Sequence, residues 1–344
     1  MLAAGLALVC VPSAARAASA VPPQDIAALG APDRSLEARL SALASQLKAA
    51  QVGIAVIDVD AGRTALVNAD QMFPMQALSG LPVAVAVLHL AEQGEVNLDR
   101  LVTLGARDIA PGRSPLAARL RARSMKFTAR QLLEHMLLNG DATATDAVIA
   151  LAGGPARIQK ALVRIDCAKG LRVDRYERDV QPAVFGLAPD ASFADARRLD
   201  ASIMAASMDD RRRAQWRYLR DPRDTASPRA IAGLYARLEQ GHLLQRRNAS
   251  FVLDLLRRSR TGLDRLSAGI GKGWTIAHRG GQTRAVDGFT AVFNDSGIAT
   301  ARTGERIALA VFVEASTLPT ERLEAFQSQV ARTVLEAWEP PSRA

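Results

Sequence analysis

A serine followed one helical turn later by a lysine is a compact nucleophile unit. The hydroxyl is a poor attacker until a neighbouring base takes its proton, and an amine three residues on lies along the same helix face. The 344-residue sequence holds one such tetrad, Ser45-Gln46-Leu47-Lys48. Its setting argues for coincidence: Leu36, Leu40, Leu43 and Leu47 recur at helical spacing, so Ser45 and Lys48 fall off the apolar stripe and toward solvent. The four histidines, His89, His135, His242 and His278, are scattered and form no metal-ligand spacing such as His-Glu-x-x-His. No metal and no cofactor is expected. Cys167, following Ile165 and Asp166, reads as a buried structural thiol. The run Ala277-His278-Arg279-Gly280-Gly281-Gln282 sets a cation beside two glycines; taken alone, it is a strand end with a solvated arginine.

Between a β-like run and a long apolar helical run lies Phe73-Pro74-Met75-Gln76-Ala77-Leu78-Ser79-Gly80-Leu81-Pro82. This stretch resembles the Phe-Pro-Met-x-Ser-x-x-Lys-x-Pro segment of the class A serine β-lactamases, with Phe73, Pro74, Met75 and Pro82 in place. The nucleophile position is Ala77 and the lysine position is Gly80. Ser79 is a weaker nucleophile candidate, since no lysine follows it within a helical turn. The family's second cluster, Ser-Asp-Asn, becomes Gly140-Asp141-Ala142 inside Leu132 to Asp146, and its third, Lys-Thr-Gly, becomes Arg279-Gly280-Gly281. The resemblance implies that Asp141 holds loop backbone, while the proton-shuttling hydroxyl and the substrate-contacting amide are absent. It also implies that Arg279 keeps a positive charge able to grip a carboxylate bidentately.

A fourth element, Leu171-Arg172-Val173-Asp174-Arg175-Tyr176-Glu177, resembles the opening of the family's Ω-loop. By that match Glu177 stands at the deacylation base, Gln181 replaces the asparagine that helps hold its water, and Arg175 pairs with Asp224 of Asp224-Thr225-Ala226-Ser227-Pro228. Far more residues separate Glu177 from Asp224 than the family's loop contains. The insertion, roughly 184–219, reads as helical, with Ser192 as a cap and a basic cluster at Arg211 to Arg213; it suits a lid, a partner surface or a plain surface insertion. Further matches at Thr261 to Leu266 and Gly288 to Asp295 extend the resemblance from Ser35 to Trp338.

Those residues leave two functional readings. The backbone N–H groups of Ala77 and Gln282 would still form an oxyanion hole, so Ala77, Gly80, Gly140, Asp141, Ala142, Gln181, Arg279, Gly280, Gly281 and Gln282 would line a ligand site. Loss of the nucleophile costs a comparable serine hydrolase ~10⁶ in turnover. The first reading is therefore a pseudoenzyme that binds a cell-wall-derived ligand, a β-lactam or a protein partner. The second is an amide hydrolase in which Glu177 drives water directly at a bound carbonyl.

Positioning these residues requires an α/β fold of the class A β-lactamase type. Val52 to Asp58 and Thr64 to Asn68 read as a hairpin, the chain from about 77 to 260 as a helical lobe, and Trp274 to His278, Gly288 to Phe293 and Arg306 to Val313 as three strands before a closing helix. The two chain ends (about 35–76 and 261–344) then build one antiparallel sheet flanked by helices, within a single domain over 35–344. Ser35 is the expected cap of the first helix. Residues 1–20 read as a secretory signal peptide ending in small residues, and 21–34 as a linker, which implies a periplasmic or secreted protein. A hydrophobic share of 49% and a charged share of 23% fit an ordinary globular chain. The net charge of +9 is scattered and lacks interleaved aromatics, so no nucleic-acid partner is expected. Beyond the leader no run approaches the ~18–20 apolar residues of a membrane span. A monomer is expected.

Overall fold

The computed structural model describes residues 31–48 and 50–338; the expected signal peptide and most of the expected linker lie outside them. Helix α1 (Arg34–Ser45) starts at Asp33, whose carboxylate accepts the Leu36 N–H at 2.9 Å. The cap is thus Asp33 and not Ser35, because a carboxylate at this position reaches the open N–H groups of the first turn. Leu36, Leu40, Leu43 and Leu47 are buried, whereas Ser45 and Lys48 are exposed. Strands β1 (Gln51–Asp58) and β2 (Thr64–Val67) form the antiparallel hairpin.

The short β3 (Phe73–Pro74) leads through a 3-10 turn over Gln76–Ser79 into α2 (Gly80–Glu92). Pro82 sits in the first turn of α2, where its missing N–H breaks no helical bond. Residues 80 to 88 are all buried, so this helix is apolar all round and forms the axis of the helical lobe. Around it lie β4 (Leu101–Leu104), α3 (Ala117–Ala122), β5 (Met125–Thr128), α4 (Ala129–Asn139), α5 (Ala142–Leu151) and α6 (Pro155–Arg164). Next come α7 (Glu177–Ala183), α8 (Ala196–Ala205), α9 (Met208–Leu219), β6 (Thr225–Ala226), α10 (Pro228–Glu239) and α11 (Arg246–Arg257). The block is less uniformly helical than its sequence suggests, since β4 pairs with β5 and β3 with β6. In the insertion the caps are Asp190, Asp195 and Ser207, not Ser192; each carboxylate accepts an N–H two residues on, and the Ser207 hydroxyl accepts that of Asp210.

Strands β7 (Trp274–Gln282), β8 (Thr290–Ala301) and β9 (Arg306–Ser316) complete a five-stranded antiparallel sheet in the order β2-β1-β9-β8-β7. Its two faces follow strand alternation. Ile54, Val56, Leu309 and Val311 pack against α1 and α12 (Thr320–Ala337), while Ala55, Ile57, Ala310 and Phe312 join the core of the helical lobe. The sheet is thus built from both ends of the chain, with β7 as its edge facing the helices. Cys167 is buried beside Arg237, and burial pushes its thiol up to about 11, which keeps it protonated and inert. Among the described residues no helix is long and apolar enough to cross a membrane, and no cluster of His, Cys, Asp or Glu could hold a metal ion.

Candidate active site

The turn before α2 packs against the edge strand β7, and α7, packed on α5, brings Glu177 to Ser79 of that turn. Gln76 enters the turn before α2 with φ 53°, a left-handed value that a non-glycine residue holds only where its surroundings force it. The next residue is Ala77. Strand β7 presses against this turn so closely that a Cβ at Gly281 would lie 2.1 Å from Met75 O and 2.8 Å from Leu78 N. Only glycine permits that approach, which brings the Ala77 turn and the strand end carrying Gln282 side by side. Gln282 is exposed and Ala77 half-buried.

Arg279 does not reach out to grip a ligand from the sheet edge, as the sequence led us to expect. Its side chain is 2% exposed. Nε donates to Ala77 O at 2.8 Å, and Nη1 donates to Met136 O at 2.6 Å and Leu137 O at 3.1 Å. A Cβ at Gly80 would lie 2.5 Å from Arg279 Nη2 and 2.9 Å from its Cζ. The guanidinium therefore fills the space that a side chain at position 80 would need. Burial lowers its pKa to about 10, leaving it cationic at neutral pH. A second arginine repeats the arrangement: Arg265 Nη1 would stand 2.6 Å from a Cβ at Gly280, and it donates to Asn294 O at 3.0 Å.

Gly140 closes α4 with φ 65°, a conformation suited to glycine. Asp141 is fully buried. It accepts the Ala144 N–H at 2.9 Å, the Leu116 N–H at 2.7 Å and the Ser114 hydroxyl at 3.0 Å, so it caps α5 and pins the neighbouring loop. Ala142, buried, is the first residue of α5. Arg175 Nε donates to Asp224 Oδ2 at 2.5 Å, and Asp224 Oδ1 also accepts the N–H groups of Asp174 and Arg175 at 2.7 and 3.0 Å.

Glu177 is the first residue of α7 and is buried. Its Oε2 accepts from Gln181 Nε2 at 2.9 Å, and its Oε1 lies 3.5 Å from Ser79 Oγ. Burial raises its pKa to about 7 against the opposing hydrogen bond from Gln181, and the nearby Asp146 raises it further. A carboxyl poised there exchanges protons readily near neutral pH. Ser79, Glu177, Gln76 and Thr145 help line a cavity of about 10 Å³, room for one water.

Asp146, the Gln76–Tyr218 pair and the His278–Asp295 pair carried no functional signal in the sequence. Asp146 accepts the Glu177 N–H at 2.6 Å and Arg178 Nε at 2.8 Å; burial raises its own pKa to about 6, with Arg178 opposing. The available sign was a lone charge, Asp146, inside the otherwise apolar and small-residue run Ala142 to Leu151, which the structure buries over 142–149. Gln76 donates to Tyr218 Oη at 2.5 Å and accepts from Gln181 Nε2 at 3.2 Å, and Tyr218 belongs to the insertion. Between β7 and β8, buried His278 and Asp295 pair at 3.3 Å; burial disfavours the imidazolium, and Asp295 outweighs it to raise the histidine's pKa.

The model of the β-lactamase enzyme family matches residues 35–338. β-Lactamase VEB-1 of Pseudomonas aeruginosa is 24% identical over 287 residues, 83% of this chain and 84% of that relative. The extended-spectrum β-lactamase PER-1 of the same organism is 25% identical over 290 residues, covering 84% and 83%. Among solved structures, a β-lactamase from Chitinophaga pinensis superposes with a TM-score of 0.71 at 22% identity, over 88% of this chain and 99% of that one. In fold and in motif frame the chain belongs to the β-lactamase enzyme family, in its class A serine branch.

Proposed function

We propose that this chain is an exported, non-acylating member of its family that binds a ligand in the cleft between sheet and helices. The carrying observation is Arg279. Its guanidinium fills the space beside Gly80 and is bound to three carbonyl oxygens, so position 77 offers no hydroxyl and position 80 no amine; the Ser79 hydroxyl nearby has Glu177 Oε1 at 3.5 Å and no lysine beside it in the turn. The cleft keeps backbone donors at Ala77 and Gln282 and a buried acid at Glu177, a set suited to a carbonyl-bearing guest such as a peptidoglycan fragment or a β-lactam. The relatives named above are β-lactamases, which supports a ligand of that class. A protein partner at the insertion is compatible with the same reading.

One observation favours a second reading. Glu177, with a pKa near 7 and Gln181 at 2.9 Å, is equipped to take a proton from water attacking a bound carbonyl. A single experiment separates the two. The mature protein and a Glu177→Ala variant are incubated with a chromogenic cephalosporin and a fluorescent penicillin, with mass spectrometry for adducts and calorimetry for binding. The expected result is reversible binding with neither turnover nor adduct. Turnover abolished in the variant would establish the water route, and a drug adduct on any serine would overturn both readings.

A further inference from the structure

The insertion is tied at both ends of its span. Toward the helical lobe, Arg121 Nη2 donates to Ala194 O at 2.6 Å. Toward the sheet, Arg211 forks onto Asp287 at 2.8 and 3.1 Å, Arg284 pairs with Asp200, and the Arg212 guanidinium lies 4.3 Å over the Phe289 ring. Trp216 packs on Phe289 with ring centroids 5.7 Å apart. Tyr218, one residue before the insertion's end, is 4% exposed and shares an apolar cluster with Val180, Val184, Phe289 and Val292. A surface insertion needs none of this inward reach.

Tyr218 also ends a file of hydrogen bonds that runs to the acid of the cleft. Its hydroxyl accepts Gln76 Nε2, Gln76 Oε1 accepts Gln181 Nε2, and the same Gln181 nitrogen donates to Glu177 Oε2. The file has a direction. An amide presents an acceptor on one side and a donor on the other. While the tyrosine holds the Gln76 nitrogen, the Gln76 oxygen must face Gln181. Without the hydroxyl, the buried Gln76 N–H loses its partner, and with it the anchor that holds the Gln76 oxygen against Gln181.

We propose that the 184–219 insertion is a built-in brace for the cleft, with Tyr218 and Gln76 as positioning residues that keep Gln181 bonded to Glu177. The inference goes beyond the ligand reading and is decided in ligand-free protein, so a cleft that binds nothing leaves its test intact. Carboxyl-labelled glutamate NMR follows the titration of Glu177, which Asp146, Arg279 and Asp224 also influence. Loss of the Gln181 hydrogen bond removes support for the charged form, so Tyr218→Phe should move the Glu177 midpoint upward by ~0.5 pH or more. Gln76→Leu reads the same file from its other side and should move it comparably. The double variant should move it no further than the larger single one, because the two act in series. A midpoint unmoved in either folded single variant, whatever its melting temperature, would overturn the proposal, as would additive shifts in the double.

Discussion

Two sets of residues lie around the Ala77 turn and Glu177 and answer to different masters. Asp141, Asp146 and Asp224 match or support the family frame, and each spends its carboxylate on the chain's own N–H groups: those of Leu116 and Ala144, of Glu177 and Arg178, of Asp174 and Arg175. Removing one leaves buried donors unpaired, at roughly 1–3 kcal/mol each. Ala77, Gly80, Gly140, Ala142 and Gly280 stand where side chains would serve a guest. At Gly80 and Gly280 two arginines fill the volume a side chain would need, and at Gly140 the left-handed turn that ends α4 suits glycine.

The largest effect should come from the first set. Asp224→Ala strips the buried Arg175 of its closest carboxylate and leaves two loop N–H groups without an acceptor. Breaking such a pair costs about 3–5 kcal/mol, read as a lower urea midpoint. A loss under ~1 kcal/mol would mean that the carboxylate is not holding the loop.

Glu177 lies between the sets, and its effect runs with pH. A carboxyl whose folded pKa exceeds its unfolded value binds its proton more tightly when folded. Stability is therefore highest below the unfolded value near 4.5 and falls as pH rises to the folded value of about 7, then levels off. The difference corresponds to at most ~3 kcal/mol. Glu177→Gln should accordingly raise stability at pH 8, by roughly 1–3 kcal/mol, and make no such gain near pH 4.5. Unfolding curves at a series of pH values test this; a gain of equal size at both ends would assign it to packing instead of charge.

The comparison also explains what the sequence could and could not show. Helices with strong period and plain caps, such as α10 behind Ser227, are legible because one side chain and one apolar stripe specify them. Strands β7 and β8 run well past their apolar portions, through Arg279-Gly280-Gly281 and Asn294-Asp295-Ser296. Those polar and glycine residues have little strand preference of their own; they are extended because Asn294 donates to Pro74 O and Asp295 accepts the Leu266 N–H. In the site, the positions of Ala77, Glu177 and Arg279 were readable from motif spacing. The direction of Arg279 was not. It depends on the absence of a side chain at Gly80, a complement that one-dimensional patterns do not carry.

That complement gives the third prediction. In Gly80→Ala the new methyl requires the Arg279 tip to move off its carbonyl partners, costing about 1–3 kcal/mol. A double-mutant cycle with Arg279→Met should show coupling of ~1 kcal/mol, because the clash disappears with the guanidinium. Strict additivity would dissolve the pairing. The same crowding should keep Ala77→Ser combined with Gly80→Lys from acylating with penicillin, as judged by mass spectrometry.

The smallest effect belongs to the one Ser-x-x-Lys that the chain possesses. Ser45 ends α1 exposed, its hydroxyl donating to Ala42 O at 2.8 Å, and Lys48 is exposed too; α1 packs by β2, the sheet edge opposite β7. The hydrogen bond is local and solvent competes for it, so Ser45→Ala should change stability by no more than ~0.5 kcal/mol and leave ligand binding as it was. Motif spelling and motif position are thereby separated: the tetrad with the right letters has no cleft, and the cleft has a frame without the letters. A measurable loss of binding in Ser45→Ala would place the working site on the wrong side of the sheet and undo the contrast between backbone-serving and guest-serving residues at its root.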